Sequence, residues 1–233
     1  MLIITDEIRN TEFLKPMKSE AMKHYIENYA LASLRYCFPD KYDDWLLLDS
    51  PDLQSPDHQC GIEVTEIVVK GKNEIDSQWQ KYRETGDKKH IDVGIKLGAT
   101  FDDTTCSYPV VNSKDELSAL ETVFSKKIHK LQKYRDNGYR EVGLILVMND
   151  IAIPNTALQW YKRVLEIQKT KPTQFDVVFF LHSCDLSWIG NNEHEPHYIH
   201  IPNKDGDALR KYARIQAEYS SYLFIIYGIL CSL

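Results

Sequence analysis

The chain has 233 residues, of which 43% are hydrophobic and 27% charged, and its formal net charge is −6. That length suits one domain, or one domain with a sizeable insertion, and the globular composition excludes a fibrous or disordered chain. The negative balance excludes a uniformly basic, nucleic-acid-coating surface, but a local basic patch remains compatible with it. Five cysteines (Cys37, Cys60, Cys106, Cys184 and Cys231) show no CxxC spacing. An odd count without such spacing predicts reduced thiols in a cytoplasmic protein rather than a disulfide scaffold. The start, Met1 to Glu7, lacks the basic segment and apolar core of a signal peptide.

Taken in chain order, residues 17–36 predict a helix. Met22, Tyr25, Ile26, Tyr29, Ser33 and Tyr36 form one stripe, Ser19 is a cap near its start, and Phe38-Pro39-Asp40 stops it. Trp45-Leu46-Leu47-Leu48 predicts a buried strand. A turn at Pro51 follows, then a strand from Gly61 to Val69. Asn73 to Arg83 predicts a helix that ends at Thr85-Gly86-Asp87. Residues 87–113 are the least regular, with alternation only over Ile91 to Ile95, and have the character of an insertion. Asp115 to Asn137 predicts one helix, capped by Asn112 or Ser113 and closed by Gly138. Val142 to Met148 is fully apolar, as in a sheet covered on both faces.

A helix over Thr156 to Gln168 and an apolar strand over Phe175 to Leu181 come next. Leu186–Ile189 and Tyr198–Ile201 predict a hairpin with a His-rich loop, and a last helix starts at Asp207. Strands that first cluster and then alternate with helices predict an α/β fold with a mixed central β-sheet flanked by helices on both sides. The apolar run Tyr222 to Cys231 falls short of the roughly 20 residues that span a bilayer. It predicts a buried C-terminal helix or a homo-oligomer contact, and no membrane role.

Two acidic residues stand out. Asp52 follows an apolar run at a turn, and Glu63 lies inside the strand Ile62-Glu63-Val64-Thr65. Alternation puts Glu63 and Thr65 on one face, with Ile62, Val64 and Glu66 on the other. A carboxylate amid Ile62, Val64 and Ile67 is costly unless a cation, a proton or strong donors accompany it. Two such oxygen donors on neighbouring backbone suit Mg²⁺ or Mn²⁺.

Pro51-Asp52 followed by Gly61-Ile62-Glu63-Val64-Thr65, within this helix–strand order, resembles the PD-(D/E)XK nuclease superfamily. The resemblance implies a restriction-endonuclease-like core over residues 17–150, with an insertion near 71–113 and a C-terminal extension over 151–233 of a single domain. It also implies metal-dependent endonucleolytic cleavage of DNA, with Asp52, Glu63 and the Val64 carbonyl as ligands of Mg²⁺ or Mn²⁺. Thr65 stands where the family's lysine usually sits. Some members carry that lysine on the following helix. There, Lys127 lies about 60° from the centre of the apolar seam, while Lys126, Lys130 and Lys133 point well away. Lys127 is thus the one placed to reach Glu63, unless all four lysines form a solvated face. A glutamate on the first helix often completes the metal shell. Between Glu20 and Glu27, Glu20 is the better match by distance from Asp52, and either is equally readable as a surface charge.

Two other readings compete. The change at Thr65 and the net charge are compatible with an inactive nuclease-like fold that binds nucleic acid or assembles with protein. RNA is an alternative substrate. His194, His197 and His200, near His182, Cys184, Glu193 and Glu195, have ligand chemistry for Zn²⁺. However, strand alternation sends His197 and His200 to opposite faces and Pro196 breaks any aligning helix, which favours a polar loop. Trp188, Tyr198, Arg210 and Arg214 are read as ordinary surface and core residues rather than a nucleic-acid groove.

Overall fold

The structure is a computed structural model. It describes residues 4–13, 17, 19–69, 71–101, 106–107, 113–148, 157–182 and 184–230, without the side chains of 19, 20, 113, 157 and 220–230. In chain order the elements are α1 (Asp6–Asn10), α2 (Ser19–Cys37), α3 (Pro39–Tyr42), β1 (Leu46–Leu47), β2 (Leu53–Gln54), β3 (Cys60–Glu66), α4 (Lys72–Thr85) and α5 (Lys89–Lys96). They continue with β4 (Thr100–Phe101), β5 (Cys106–Ser107), α6 (Ser113–Ile128), α7 (Leu131–Asp136), β6 (Glu141–Met148), α8 (Ala157–Lys169), β7 (Val177–His182), β8 (Asp185–Gly190), β9 (His197–His200) and α9 (Asn203–Leu230). The chain divides into two compact units: Met1–Glu66 with Val123–Leu233, and Ile67–Thr122.

The first unit is built on a mixed sheet of seven strands in the order β1-β2-β3-β6-β7-β8-β9. β3, β6 and β7 run parallel, and antiparallel strands extend the sheet on either side. From Val142 to Met148 β6 is apolar and buried, because both of its faces are covered. Ile145 and Val147 join one core with Ala30, Leu31 and Leu34 of α2 and Leu209 and Ala213 of α9. Helices also cover the opposite face. There Phe180 of β7 meets Trp160 and Tyr161 of α8, and Phe124 of α6 meets Phe175 edge-on. The architecture is therefore α/β, a mixed sheet between flanking helices.

The second unit contains α4, α5 and the β4–β5 hairpin. Trp79 of α4 packs against Tyr82 and Phe101, and His90 Nδ1 of α5 lies 2.6 Å from Gln78 Oε1 of α4. Gly94 lets the Phe101 ring lie against α5, since a Cβ there would come within 2.2 Å of it.

Several expectations need correction. Residues 45–48 were expected to form a buried strand, but only Trp45 is buried. Leu46 and Leu48 are exposed because β1 is the sheet's edge. Ile91 to Ile95 lies in helix α5, where apolar spacing across two turns imitates alternation. The expected single helix over 115–137 is two. After Ile128 the chain tightens, with the Lys130 N–H donating to Lys127 O three residues back, and α7 starts at Leu131. No Pro or Gly marks that break. Within residues 151–233, β7, β8 and β9 belong to the main sheet, and Leu209 and Ala213 of α9 to its core. Cys231 and the side chains of 222–230 lie outside the described residues, and with them the expected oligomer contact. Among the described residues no helix is long and apolar enough to cross a membrane. Cys37, Cys60, Cys106 and Cys184 are free thiols.

Candidate metal centre at the open edge of strand β3

The site begins with a mismatch in strand length. β2 pairs with β3 only at Leu53↔Ile62 and Gln54↔Gly61. Beyond Ile62 the β2 side of β3 has no strand beside it, because the chain has already turned away at Pro51. The Val64 N–H therefore needs another acceptor. Asp52 supplies it: the N–H donates to Asp52 Oδ2 at 2.7 Å. The Val64 carbonyl faces the same side of the strand and is 3.3 Å from Lys127 Nζ. A carboxylate thus stands in for the missing ladder partner and is held buried, at 8% exposure.

Gly61 makes this turn possible. A Cβ on Gly61 would lie 2.2 Å from Pro51 Cγ and 3.2 Å from the Tyr139 ring. A proline ring yields little, so Gly61→Ala should push away the turn that carries Asp52. We expect a loss of about 1–3 kcal/mol in urea unfolding. An unchanged midpoint would show that the turn adapts.

Glu63 is on the opposite face of β3 from Ile62 and Val64 and is 2% exposed. Its two oxygens have separate partners. Oε2 accepts from the buried Tyr134 hydroxyl at 2.5 Å. Oε1 accepts from Lys127 Nζ at 2.5 Å and lies 3.3 Å from Lys130 Nζ. Burial pushes the Glu63 carboxyl up, but bonds from Lys127 and Tyr134 and the charges of Lys127 and Lys130 outweigh it, so its pKa lies below the usual range. Asp52 goes the other way. Burial and then the charge of Glu63 push it up to about 6, against the Val64 N–H bond and the Lys127 charge. Two acids in one cleft are thereby driven apart in proton affinity.

The cleft has a volume of about 350 Å³. Asp52, Glu63, Val64, Thr65 and Glu66 line it, together with Lys23, Ile26 and Glu27 from α2 and Lys127 and Lys130. Thr65 lines the cleft, as do its neighbours Val64 and Glu66, because the cleft lies along the strand's edge and takes residues of both faces. The side chain of Glu20 lies outside the described residues. It is Glu27, two turns further along α2, that reaches the cleft, with Oε1 3.4 Å from Lys23 Nζ and Oε2 3.4 Å from His24 Nδ1. Lys130 corrects the helical wheel. The wheel assumes one continuous helix, and the break after Ile128 turns Lys130 back toward Glu63. Tyr134 was missed, although on the single helix expected there it stands two turns after Lys127, on the same face.

Among the described residues no three His, Cys, Asp or Glu side chains are grouped so as to hold a metal. The donor set is two carboxylates and a backbone carbonyl. These are all hard oxygens, and the remainder of a shell would fall to water, as Mg²⁺ prefers. The His-rich segment forms paired contacts instead: His197 Nε2 is 3.1 Å from Glu193 Oε1, and His200 Nδ1 is 2.7 Å from Asp185 Oδ1. Trp188 packs between Phe38 and His197, Arg210 bonds Asp207, and Arg214 bonds Glu218, while Tyr198 is exposed. Comparison of the chain with family models, with curated proteins and with solved structures finds no match.

Proposed function

We propose that this chain is a metal-dependent nuclease of the PD-(D/E)XK type, which hydrolyses DNA phosphodiester bonds with activated water. The observation that carries the reading is the meeting of Asp52, Glu63 Oε1 and the Val64 carbonyl at the open edge of β3, beside Lys127. The raised pKa of Asp52, set first by burial and then by the charge of Glu63, adds support, since both make an ionised pair costly here without a further cation. A divalent cation would offset that cost, so the residues fit Mg²⁺ or Mn²⁺.

In this reading Asp52, Glu63 and the Val64 carbonyl hold the ion, with Glu27 within electrostatic reach of Asp52. When bound, the ion supplies a lowered pKa for water and polarisation of a phosphate oxygen. Lys127 and Lys130 offer ammonium groups where phosphate charge builds up in the transition state. Lys130 is half exposed and can meet an incoming strand, while Lys127 is more enclosed. The Thr65 hydroxyl can orient water but carries no charge, so the lysines from beyond β3 take the role that its position usually has.

A second reading, a non-catalytic nucleic-acid-binding or assembly module, draws on the same contact. An ammonium already neutralises Glu63 in this chain. A cleavage assay with Mg²⁺ and Mn²⁺ on linear and supercoiled DNA, with RNA in parallel, separates the two. Asp52→Ala should lose at least about a hundredfold in rate, since the interactions removed are worth several kcal/mol. Equal cleavage by wild type and variant would end the nuclease reading. A melting point raised by Mn²⁺ without any cleavage would favour the module.

A further inference from the structure

We propose that Lys127 is an internal counter-ion that a divalent cation must displace, so that binding of the ion and release of the lysine are coupled. The inference rests on the nuclease reading and deepens it. Lys127 Nζ touches two atoms, Glu63 Oε1 at 2.5 Å and the Val64 carbonyl at 3.3 Å. These are the two atoms of β3 that the reading gives to the metal. Glu63 Oε2 accepts from the Tyr134 hydroxyl at 2.5 Å, which leaves Oε1 as the oxygen turned toward the lysines. Tyr134 is 1% exposed, so its hydroxyl is shut off from water as an alternative partner. Oε1 already faces the ammonium groups of Lys127 and Lys130, so a divalent ion at the same oxygen of this buried carboxylate is repelled strongly until the nearer of the two, Lys127, gives way.

The consequence concerns Lys127 itself. Its side chain is 19% exposed while it spans Glu63 and Val64. Once displaced, its ammonium moves into the cleft, where the substrate phosphate would lie. Metal loading and the presentation of the lysine thereby become one event. Lys130 is the natural control. It has the same charge and lies near the same oxygen, but 3.3 Å away and 56% exposed.

The test measures Mn²⁺ binding by calorimetry on wild type, Lys127→Met and Lys130→Met, with no nucleic acid present. Lys127→Met should bind Mn²⁺ about tenfold more tightly than wild type or better, because no charge-assisted bond then has to be broken first. Lys130→Met should gain far less. Equal gains would mean that only the general loss of positive charge matters and would overturn the proposal, as would no gain at all. In parallel, amine acylation read by mass spectrometry should find Lys127 slow to react without metal and several-fold faster with Mn²⁺. An unchanged Lys127 rate at saturating Mn²⁺ overturns it too. If Lys127→Met gains affinity and Lys127 is unmasked, yet no nucleic acid is ever cut, the displacement stands and the nuclease reading falls.

Discussion

Glu63→Ala should cost about 3 kcal/mol of stability near pH 7, the typical loss when one partner is removed from a buried ion pair. The carboxylate it deletes is 2% exposed and accepts from Lys127, Lys130 and Tyr134. Without it, Lys127 keeps its charge in a half-closed pocket and the buried Tyr134 hydroxyl loses its acceptor. The pH dependence gives the cause away. Glu63 has a folded pKa below its ordinary value of 4.5. A lowered carboxylate pKa contributes stability that is fully present above 4.5 and lost as pH falls through the folded value. Wild type should therefore weaken on acidification, and the gap to Glu63→Ala should close. Urea unfolding at about pH 7 and about pH 3 measures both quantities. A gap of the same size at both would mean that the loss is one of packing and not of charge.

Asp52→Asn should do the reverse and stabilise the metal-free protein by about 2–3 kcal/mol near pH 8, while abolishing metal-dependent cleavage. Asp52 rises from 3.8 to about 6 on folding, through burial and the charge of Glu63. A raised carboxylate pKa favours the folded state below 3.8, and this advantage is lost as pH climbs toward 6. Above that the ionised group is a standing cost to the fold. Asparagine removes the charge but keeps an oxygen for the Val64 N–H, so the turn survives. The gain should vanish by about pH 3, where both states bind the proton. A variant less stable than wild type at pH 8 would sink the argument, because it would mean that the aspartate is there to hold the fold. The opposite signs of these two substitutions distinguish a cleft built to receive a cation from a purely structural ion pair.

Much of this was legible along the chain. The isolation of Glu63 between Ile62, Val64 and Ile67 marks an acid that cannot be idle, since alternation alone sends it off the face its neighbours bury. The unbroken apolar run of β6 requires cover on both faces, which fixes a central strand and hence the α/β class. Lys127 could be chosen from four lysines because its angle to the apolar seam is a property of one helix. Each of these inferences uses local periodicity, and local periodicity is encoded residue by residue.

What the sequence left open depends on breaks and edges, which no period reports. The stop after Ile128 carries no Pro or Gly, yet it re-aims Lys130 and lets Tyr134 close over Glu63. The exposure of Leu46 follows from β1 being last in the sheet, a fact of strand order rather than of composition. The place of Glu27 in the cleft depends on how α2 lies across it. The sequence by itself determined which residues carry charge into the core and on which face of their own element they stand. Only the tertiary structure decided which of them meet, because β2 stops short of β3 and the bare edge that remains draws in Asp52, the Val64 carbonyl and Lys127.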